Sequence, residues 1–308
     1  MKGQILNALR ECGGYLSGET LSQQLGISRV SIWKHIHSLK RDGYAIEASP
    51  KGYRLVSSPD LLLPCEFPDL EQRIHYFPEI GSTMDAAREL AKKGAGEGTI
   101  VIAEVQTLGR GRLSREWLSP QGGIYFTIIL RPRISPVYAP RINLMAAIAV
   151  AATIRKLFGL KAELKWPNDV LIEGKKVCGI LAEMDAEMDV VNFVNVGIGI
   201  NGNNPVSRFE KTATSLKDAL GREISRKEFL TALITEIQRR QPLLMKADLL
   251  KEWKRLSATL NKEVRVMSLG EEVMGQAIDI DTTGALILKG KDGSLRSILA
   301  GDCIHLRE

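Results

Sequence analysis

The chain has 308 residues, 44% hydrophobic and 25% charged, with a formal net charge of +6; this globular composition can fill a sizeable core and suggests two or three domains. The longest nearly unbroken apolar run, Leu144 to Ile154, falls well short of the roughly 20 residues that span a bilayer, and the N-terminus lacks a signal peptide's apolar core, so a cytoplasmic protein without a membrane is expected. Cys12, Cys65, Cys178 and Cys303 stand apart with no C-x-x-C pair, and His35, His37, His75 and His305 add no ligand spacing, which predicts reduced thiols and no metal site.

Positive charge concentrates at the start. Residues 1–58 hold eight Lys/Arg against four Asp/Glu, a surplus of four out of the chain's six, which points to a polyanionic partner for this segment. In SGETLSQQLGISRVSIWKHIHSLKRDGYAI, Leu21 and Leu25 share a helical face, Gly26 stops the helix, and Ser28 caps a second helix with Ile32, Trp33, Ile36 and Leu39 on one side. Ser28, Arg29, Ser31, Lys34 and His35 or Ser38 are left outside, a set suited to phosphates and base edges in a major groove. The segment YAIEASPKGYRLV reads as two strands around Pro50, Lys51 and Gly52, a basic wing. The alternative is a helical interaction module with a solvated charged face. SSPDLLLPCEFP, with three prolines and no period, reads as a linker.

The middle of the chain alternates a helix over about 84–93, strands in TIVIAEV and IYFTIIL, a long helix around 141–158, and strands near Leu164, over 177–184 and over 190–200. Such segregation predicts an α+β sheet. Between the first two strands lies GRGRLSREW, residues 109–117, in which Arg110 and Arg112 can converge on one anion while glycine admits close backbone approach. A solvated basic loop is the other reading. KWPNDV puts Asn168 and Asp169 on a turn after Pro167, and GKKVCGIL opens a strand with Lys175 and Lys176, one of which faces inward. GIGING fits G-x-G-x-x-G, but the following NNPVSRF opens no helix, so a dinucleotide fold is rejected and Asn201 is left as a polar contact. Together these islands suggest nucleotide chemistry without a Walker loop. From Asn261 the chain reads as short strands, with Asp292-Gly293 at a hairpin turn, forming a small closed barrel.

EIGSTMDAA, AEVQTLGRGRLSREWLSP, KWPNDV, GKKVCGILAE and VNVGIGIN, in this order, resemble the biotin protein ligase family, and the preceding helix-turn-helix resembles that of its bifunctional form, the biotin operon repressor. The resemblance implies a winged helix-turn-helix (1–60), a linker (61–69), a mixed-sheet ligase domain of the biotin/lipoate type (70–260) and an SH3-like C-terminal β-barrel (261–308). It implies ATP-dependent formation of biotinyl-5′-adenylate and biotin transfer to a lysine of biotin carboxyl carrier protein, the acetyl-CoA carboxylase subunit. ATP, biotin and Mg²⁺ are used, with no permanently bound cofactor. It further implies that the adenylate-loaded form dimerises, with the alternating VVNFVNV strand resembling the edge used for dimerisation, and that the homodimer binds operator DNA.

By the same matching, Arg110, Arg112 and Lys176 are the catalytic cations. Asp169 is open to three roles: orienting Lys176, binding Mg²⁺ or deprotonating the acceptor lysine. Ser82, Thr83, Met84 and Gln106 would meet biotin's ureido ring, Gly109, Gly111 and Gly179 give it room, and Tyr125 and Leu181 wall its apolar part. Trp117 would cover the ligand, while Lys165, Asn168 and Asn201 belong to the nucleotide side. Two departures stand out: Ser114 replaces the last glycine of GRGR-x-GR, and Met84 replaces an asparagine. The arginine loop is expected to be mobile when empty, since its charges lack partners of their own. A ligand-sensing transcription factor without turnover, and a lipoate ligase, are the competing functions.

Overall fold

The computed structural model describes residues 1–268 and 270–306. The chain folds as two units, Met1–Tyr76 and Phe77–Glu308.

The first unit holds α1 (Lys2–Cys12), α2 (Gly18–Leu25), α3 (Arg29–Arg41), β1 (Ala45–Ser49) and β2 (Gly52–Ser57). Ser17 caps α2 by accepting from the Thr20 amide at 2.9 Å, Gly26 ends it at φ 65°, and Ser28 caps α3 by accepting from the Ser31 amide. Each cap satisfies a backbone group that a helix end leaves orphaned. Ile32, Ile36 and Leu39 are fully buried against Ile5, Leu6, Leu9 and Leu21. Trp33 is not: it is 51% exposed. One residue is a rotation of about 100° around a helix, which carries Trp33 off the stripe set by its neighbour Ile32. Helix α1, unforeseen, supplies Ile5, Leu6 and Leu9 to this core. The antiparallel β1–β2 pair forms the expected wing, and Gly52 (φ 122°) is obligatory, because a Cβ there would lie 2.2 Å from the Leu16 carbonyl. The supposed linker is folded. Leu62, Cys65 and Phe67 are buried around a short 3₁₀ turn, Pro64–Glu66. Glu66 accepts from Arg10 at 2.7 Å and from the Tyr44 hydroxyl at 2.5 Å. Apolar residues between the prolines outweigh the lack of period.

The division falls within β3 (Ile74–Ile80), and the second unit continues with α4 (Thr83–Lys92), β4 (Ile100–Gln106), β5 (Ile124–Leu130), α5 (Pro140–Phe158), β6 (Ala162–Lys165), β7 (Asp169–Ile172), β8 (Lys175–Glu187) and β9 (Val190–Ile200). Its seven-stranded sheet runs β3-β4-β5-β9-β8-β7-β6; the ladder from β4 to β6 is antiparallel, and parallel bridges join Leu164 to Ser257 and Lys176 to Ala213. The stretch 136–158 has the length and hydropathy of a membrane span, but 67% of its most apolar window is buried. It is a core helix, packed on β6 and β8 and on α7 (Arg226–Arg240) and α8 (Ala247–Leu256), which follow the short α6 (Leu216–Leu220).

The C-terminal strands β10 (Glu263–Ser268), β11 (Glu271–Ile280), β12 (Leu286–Lys289), β13 (Leu295–Ile298) and β14 (Asp302–His305) form an antiparallel sheet ordered β13-β12-β11-β10-β14. Asp292 accepts from the Ser294 amide at 3.0 Å, closing the predicted turn with Gly293 at φ 82°. Buried Arg141 of α5 donates to the Thr282 and Lys246 carbonyls at 3.1 and 2.7 Å. The Trp166 indole donates to the Gly284 carbonyl at 3.2 Å. These bonds fix the C-terminal sheet to the larger one and bring β14 to the rim of the site.

Candidate active site

One cavity collects the separated islands of the sequence. Its floor is strand-built. Lys176, the second residue of β8, lies opposite Leu171, whereas Val170 faces Cys178, so the strand carries an extra residue here. Such a bulge breaks strict alternation, and it lets Lys176 line the cavity together with Gly179 and Leu181. Lys175 stays exposed. The Lys176 ammonium lies 2.7 Å from Asp169 Oδ1 and 5.3 Å from the centre of the Trp117 ring. Its backbone is held on both sides, donating to Thr212 at 2.9 Å and accepting from Thr214 at 2.9 Å. Asp169 is the first residue of β7 and pairs with Lys165 and Gly179, so it sits on the ladder, not on the turn that ends at Asn168.

The wall opposite is the arginine loop, and its charges do have partners. Arg110 donates to Asp85 at 2.7 Å and to Glu183 at 2.5 Å. Arg88 binds the same two carboxylates. Arg115 makes a two-point pair with Asp302 of β14, at 3.2 and 2.5 Å, which holds that carboxyl below its usual range. Arg112 donates to the Gly301 carbonyl at 3.0 Å and, at 3.4 Å, to Asn168. Burial pushes the Arg112 guanidinium downward, opposed by Asp169 and Asp302. The premise of an unpartnered loop is therefore wrong: the carboxylates lie far off in sequence, on α4, β8 and β14. Leu113 and Ser114 have φ of 54° and 58°, a left-handed conformation that costs a residue with a Cβ about 1–2 kcal/mol. Ser114 stands where relatives were expected to carry glycine, which explains that preference physically.

At the third side, α4 starts at the cavity. Gln106 Oε1 accepts from the Thr83 amide at 2.8 Å and its hydroxyl at 3.0 Å, while Gln106 Nε2 donates to Ser119 at 2.9 Å. A helix N-terminus with oriented amides favours a polar or anionic group. Ser82 is buried and spends its hydroxyl capping α4 through the Met84 amide. Met84 lines the cavity, with its sulfur over Gly197. Gly111 lines it too, whereas Gly109 gives room to the chain itself: a Cβ there would lie 2.2 Å from the Trp117 carbonyl.

Tyr125 lies on the other face of β5, donating to the Pro120 carbonyl at 2.8 Å. Its neighbour Phe126 lines the cavity instead, as alternation along a strand requires. Lys165 and Asn201 border an adjoining hollow that shares Trp117, Asp169 and Lys176 with the first. Asn201 is 1% exposed and accepts from Asn204 at 3.1 Å.

GIGING, set aside as a dinucleotide motif, supplies what the sequence reading overlooked. Gly197 and Gly199 face the cavity, and a Cβ at 199 would meet the Trp117 indole nitrogen at 2.3 Å. Two missing side chains make the space that Met84 and Trp117 occupy. That indole nitrogen is buried against Gly199 without a hydrogen-bond partner among the described residues, an orphaned donor at the edge of the cavity. Asp302 and Glu183 were also missed, having no local signal. Among the described residues no group of three or more His, Cys, Asp or Glu is placed to hold a metal.

In the first unit Arg29, Lys34 and Lys51 are exposed, Ser31 and His35 are half-buried, and Ser28 is exposed but occupied as a cap. His35 is lowered by burial and then by the N-terminus and Lys2.

Family models place the same parts on the chain. The Biotin/lipoate A/B protein ligase family matches residues 76–201, an HTH domain matches 2–54, and the Biotin protein ligase C terminal domain matches 259–306. The Bifunctional ligase/repressor BirA of Bacillus subtilis is 37% identical, covering 98% of this chain and 98% of its own. Its Escherichia coli counterpart is 32% identical over 98% of this chain and 96% of that protein. Among solved structures, the biotin protein ligase from Aquifex aeolicus in complex with biotin and ATP superposes with a TM-score of 0.66 at 27% identity, over 76% of this chain and 99% of that one. Strand-borne lysine, arginine loop, winged helix and near full-length identity thus converge, and the chain belongs to the biotin protein ligase family in its bifunctional ligase/repressor form.

Proposed function

We propose that the cavity joins the carboxylate of biotin to the α-phosphate of ATP and then delivers the biotinyl group to a protein lysine. In the first step a carboxylate oxygen attacks the α-phosphorus and pyrophosphate leaves. In the second the acceptor's neutral amine attacks the acyl carbon and AMP leaves. Both partners of the first step are anions, so their encounter needs cations fixed in place beforehand. The observation that carries this reading is the convergence of Arg112 and Lys176 on one cavity beside Asp169 and the unpartnered Trp117 donor.

Thr83 and Gln106 offer a donor and acceptor pair for the ureido ring, and Phe126, Leu181 and the Met84 thioether face its hydrocarbon part. Trp117, Asn168 and, in the adjoining hollow, Lys165 and Asn201 suit the nucleotide. Asp169, 2.7 Å from Lys176, is best read as orienting that ammonium. Mg²⁺ would enter with ATP, held mainly by phosphate oxygens. The acceptor is a biotin carboxyl carrier domain of acetyl-CoA carboxylase in the cytoplasm, and an adenylate-loaded homodimer presents two winged helices to operator DNA. Residues 1–60, 70–260 and 261–308 divide these tasks, with 61–69 packed as an extension of the winged helix.

Incubation with ATP, labelled biotin and a carrier domain tests the reading. Label on the carrier lysine is the expected result. Adenylate without transfer, or biotin binding without pyrophosphate release, would instead favour a ligand-sensing repressor.

A further inference from the structure

Helix α3 presents an apolar surface that the fold leaves uncovered. Val30 is 64% exposed and Trp33 51% exposed, and the two lie three residues apart, hence on adjacent turns of one face. The Trp33 ring is not free to wander: it packs at a tilt against His37 one turn later, with centroids 3.8 Å apart and planes at 38°. A His37 ring nitrogen lies 3.0 Å from the Trp33 carbonyl. Val30, Trp33 and Arg29 form one wall of a groove whose other walls are the wing, at Ser49 and Pro50, and the start of α2. Cations flank the patch: Arg29 beside Val30, Lys34 beside Trp33, and Lys51 at the wing tip, all exposed. Arg29 has only a loose partner in Glu19, at 3.7 Å with both side chains well exposed.

The arrangement is apolar in the middle and positive at the rim. A duplex major groove has the complementary pattern, with phosphates at its edges and, on its floor, one apolar group, the thymine C5-methyl. We propose that Val30 and Trp33 are specificity-determining residues that read thymine methyl groups, with Arg29, Lys34 and Lys51 supplying sequence-independent phosphate contacts. The proposal rests on the operator-binding half of the function above and names the chemistry that half would use. Trp33 is pre-organised by its contact with His37, so little freedom is lost on docking. An indole face placed against methyl groups also expels water from both.

The test uses the full chain with biotin and ATP, and a duplex selected by it from a random pool. In copies of that duplex each thymine is replaced by deoxyuridine, which removes only the methyl. The expected result is about a fourfold loss of affinity per contacted methyl, the burial of roughly one CH₂, at defined positions. Val30→Ala and Trp33→Ala should each lose sensitivity at their own positions while keeping the wild-type dependence on salt; neither side chain belongs to the core, so folding survives. By contrast, Lys34→Ala should weaken all duplexes alike and flatten the salt dependence. Equal binding of thymine and deoxyuridine duplexes by the wild type would overturn the methyl reading and leave operator binding standing. Failure to select any duplex would overturn both.

Discussion

The two walls of the active cavity are built differently. Lys176 and Asp169 belong to paired strands, and their positions follow from register, a bulge and backbone bonds on either side. The arginine loop has only a single antiparallel bridge, Arg110 with Glu116, and short backbone bonds within itself; to the rest of the site it is fastened by side-chain ion pairs to Asp85, Glu183 and Asp302 and by the Gly301 carbonyl. Side chains on a rigid ladder can hold transition-state charge without reorganising. Exposed ion pairs are worth little each, so the loop can exchange its carboxylates for a ligand's. The contrast assigns precision to one wall and accommodation to the other.

The sharpest way to break this contrast is Lys176→Ala. Adenylate formation should fall about 10²–10³-fold in pyrophosphate release, with an unchanged melting curve; near-normal release would show that the strand wall is not where charge is stabilised. Next in size, Gly199→Ala should push the Trp117 ring aside and weaken biotin binding about tenfold by calorimetry, the scale of an overpacked site.

A third effect concerns the last strand, β14, where a His305 ring nitrogen lies 3.0 Å from the Thr259 hydroxyl. Burial, then repulsion by Lys165 and Lys262, lowers His305 to about 4, below its unfolded value near 6.5. The unfolded chain therefore binds a proton that the folded chain refuses, so this stability is complete above about pH 6.5 and is lost as pH falls toward 4. Allowing for solvent screening of a half-exposed ring, the loss is about 1–2 kcal/mol. Urea midpoints at pH 7 and pH 4.5 should diverge more for the wild type than for His305→Gln.

Two smaller effects concern the loop itself. Ser114→Gly should relieve about 1 kcal/mol of left-handed strain and slow proteolysis within residues 109–117 of the ligand-free protein. A cycle of Arg115→Ala and Asp302→Ala should show a coupling of only about 0.5 kcal/mol in denaturant unfolding. A coupling several times larger would mean that the loop is locked, contradicting its accommodating role.

What could be read from the sequence divides along the same line. Helix caps, the wing, the central strands and the Asp292-Gly293 turn are written in local residue pattern, and each forms as expected. The choice of Lys176 over Lys175 was not local, because alternation says only that one of them faces inward and the bulge that decides it belongs to a pair of strands. Trp33 was misplaced inward by its hydrophobicity alone. The loop's partners were invisible for a similar reason: Glu183 lies 73 residues and Asp302 187 residues from the arginines they bind. Tyr125 and Phe126 show how one step along a strand exchanges a scaffold side chain for a lining one.

Gly197 and Gly199 seat two of the cavity's own walls, the Met84 thioether and the Trp117 indole. Hydrogens there in place of methyls let both walls lie close to β9, so the width left for a ligand is set from beneath. Alanine at 197 or 199 would lift one wall into the cavity and turn away bulkier acids before slimmer ones, without removing a charged group. Selectivity among carboxylic acids of graded bulk is thus adjustable at two positions that carry no chemistry of their own.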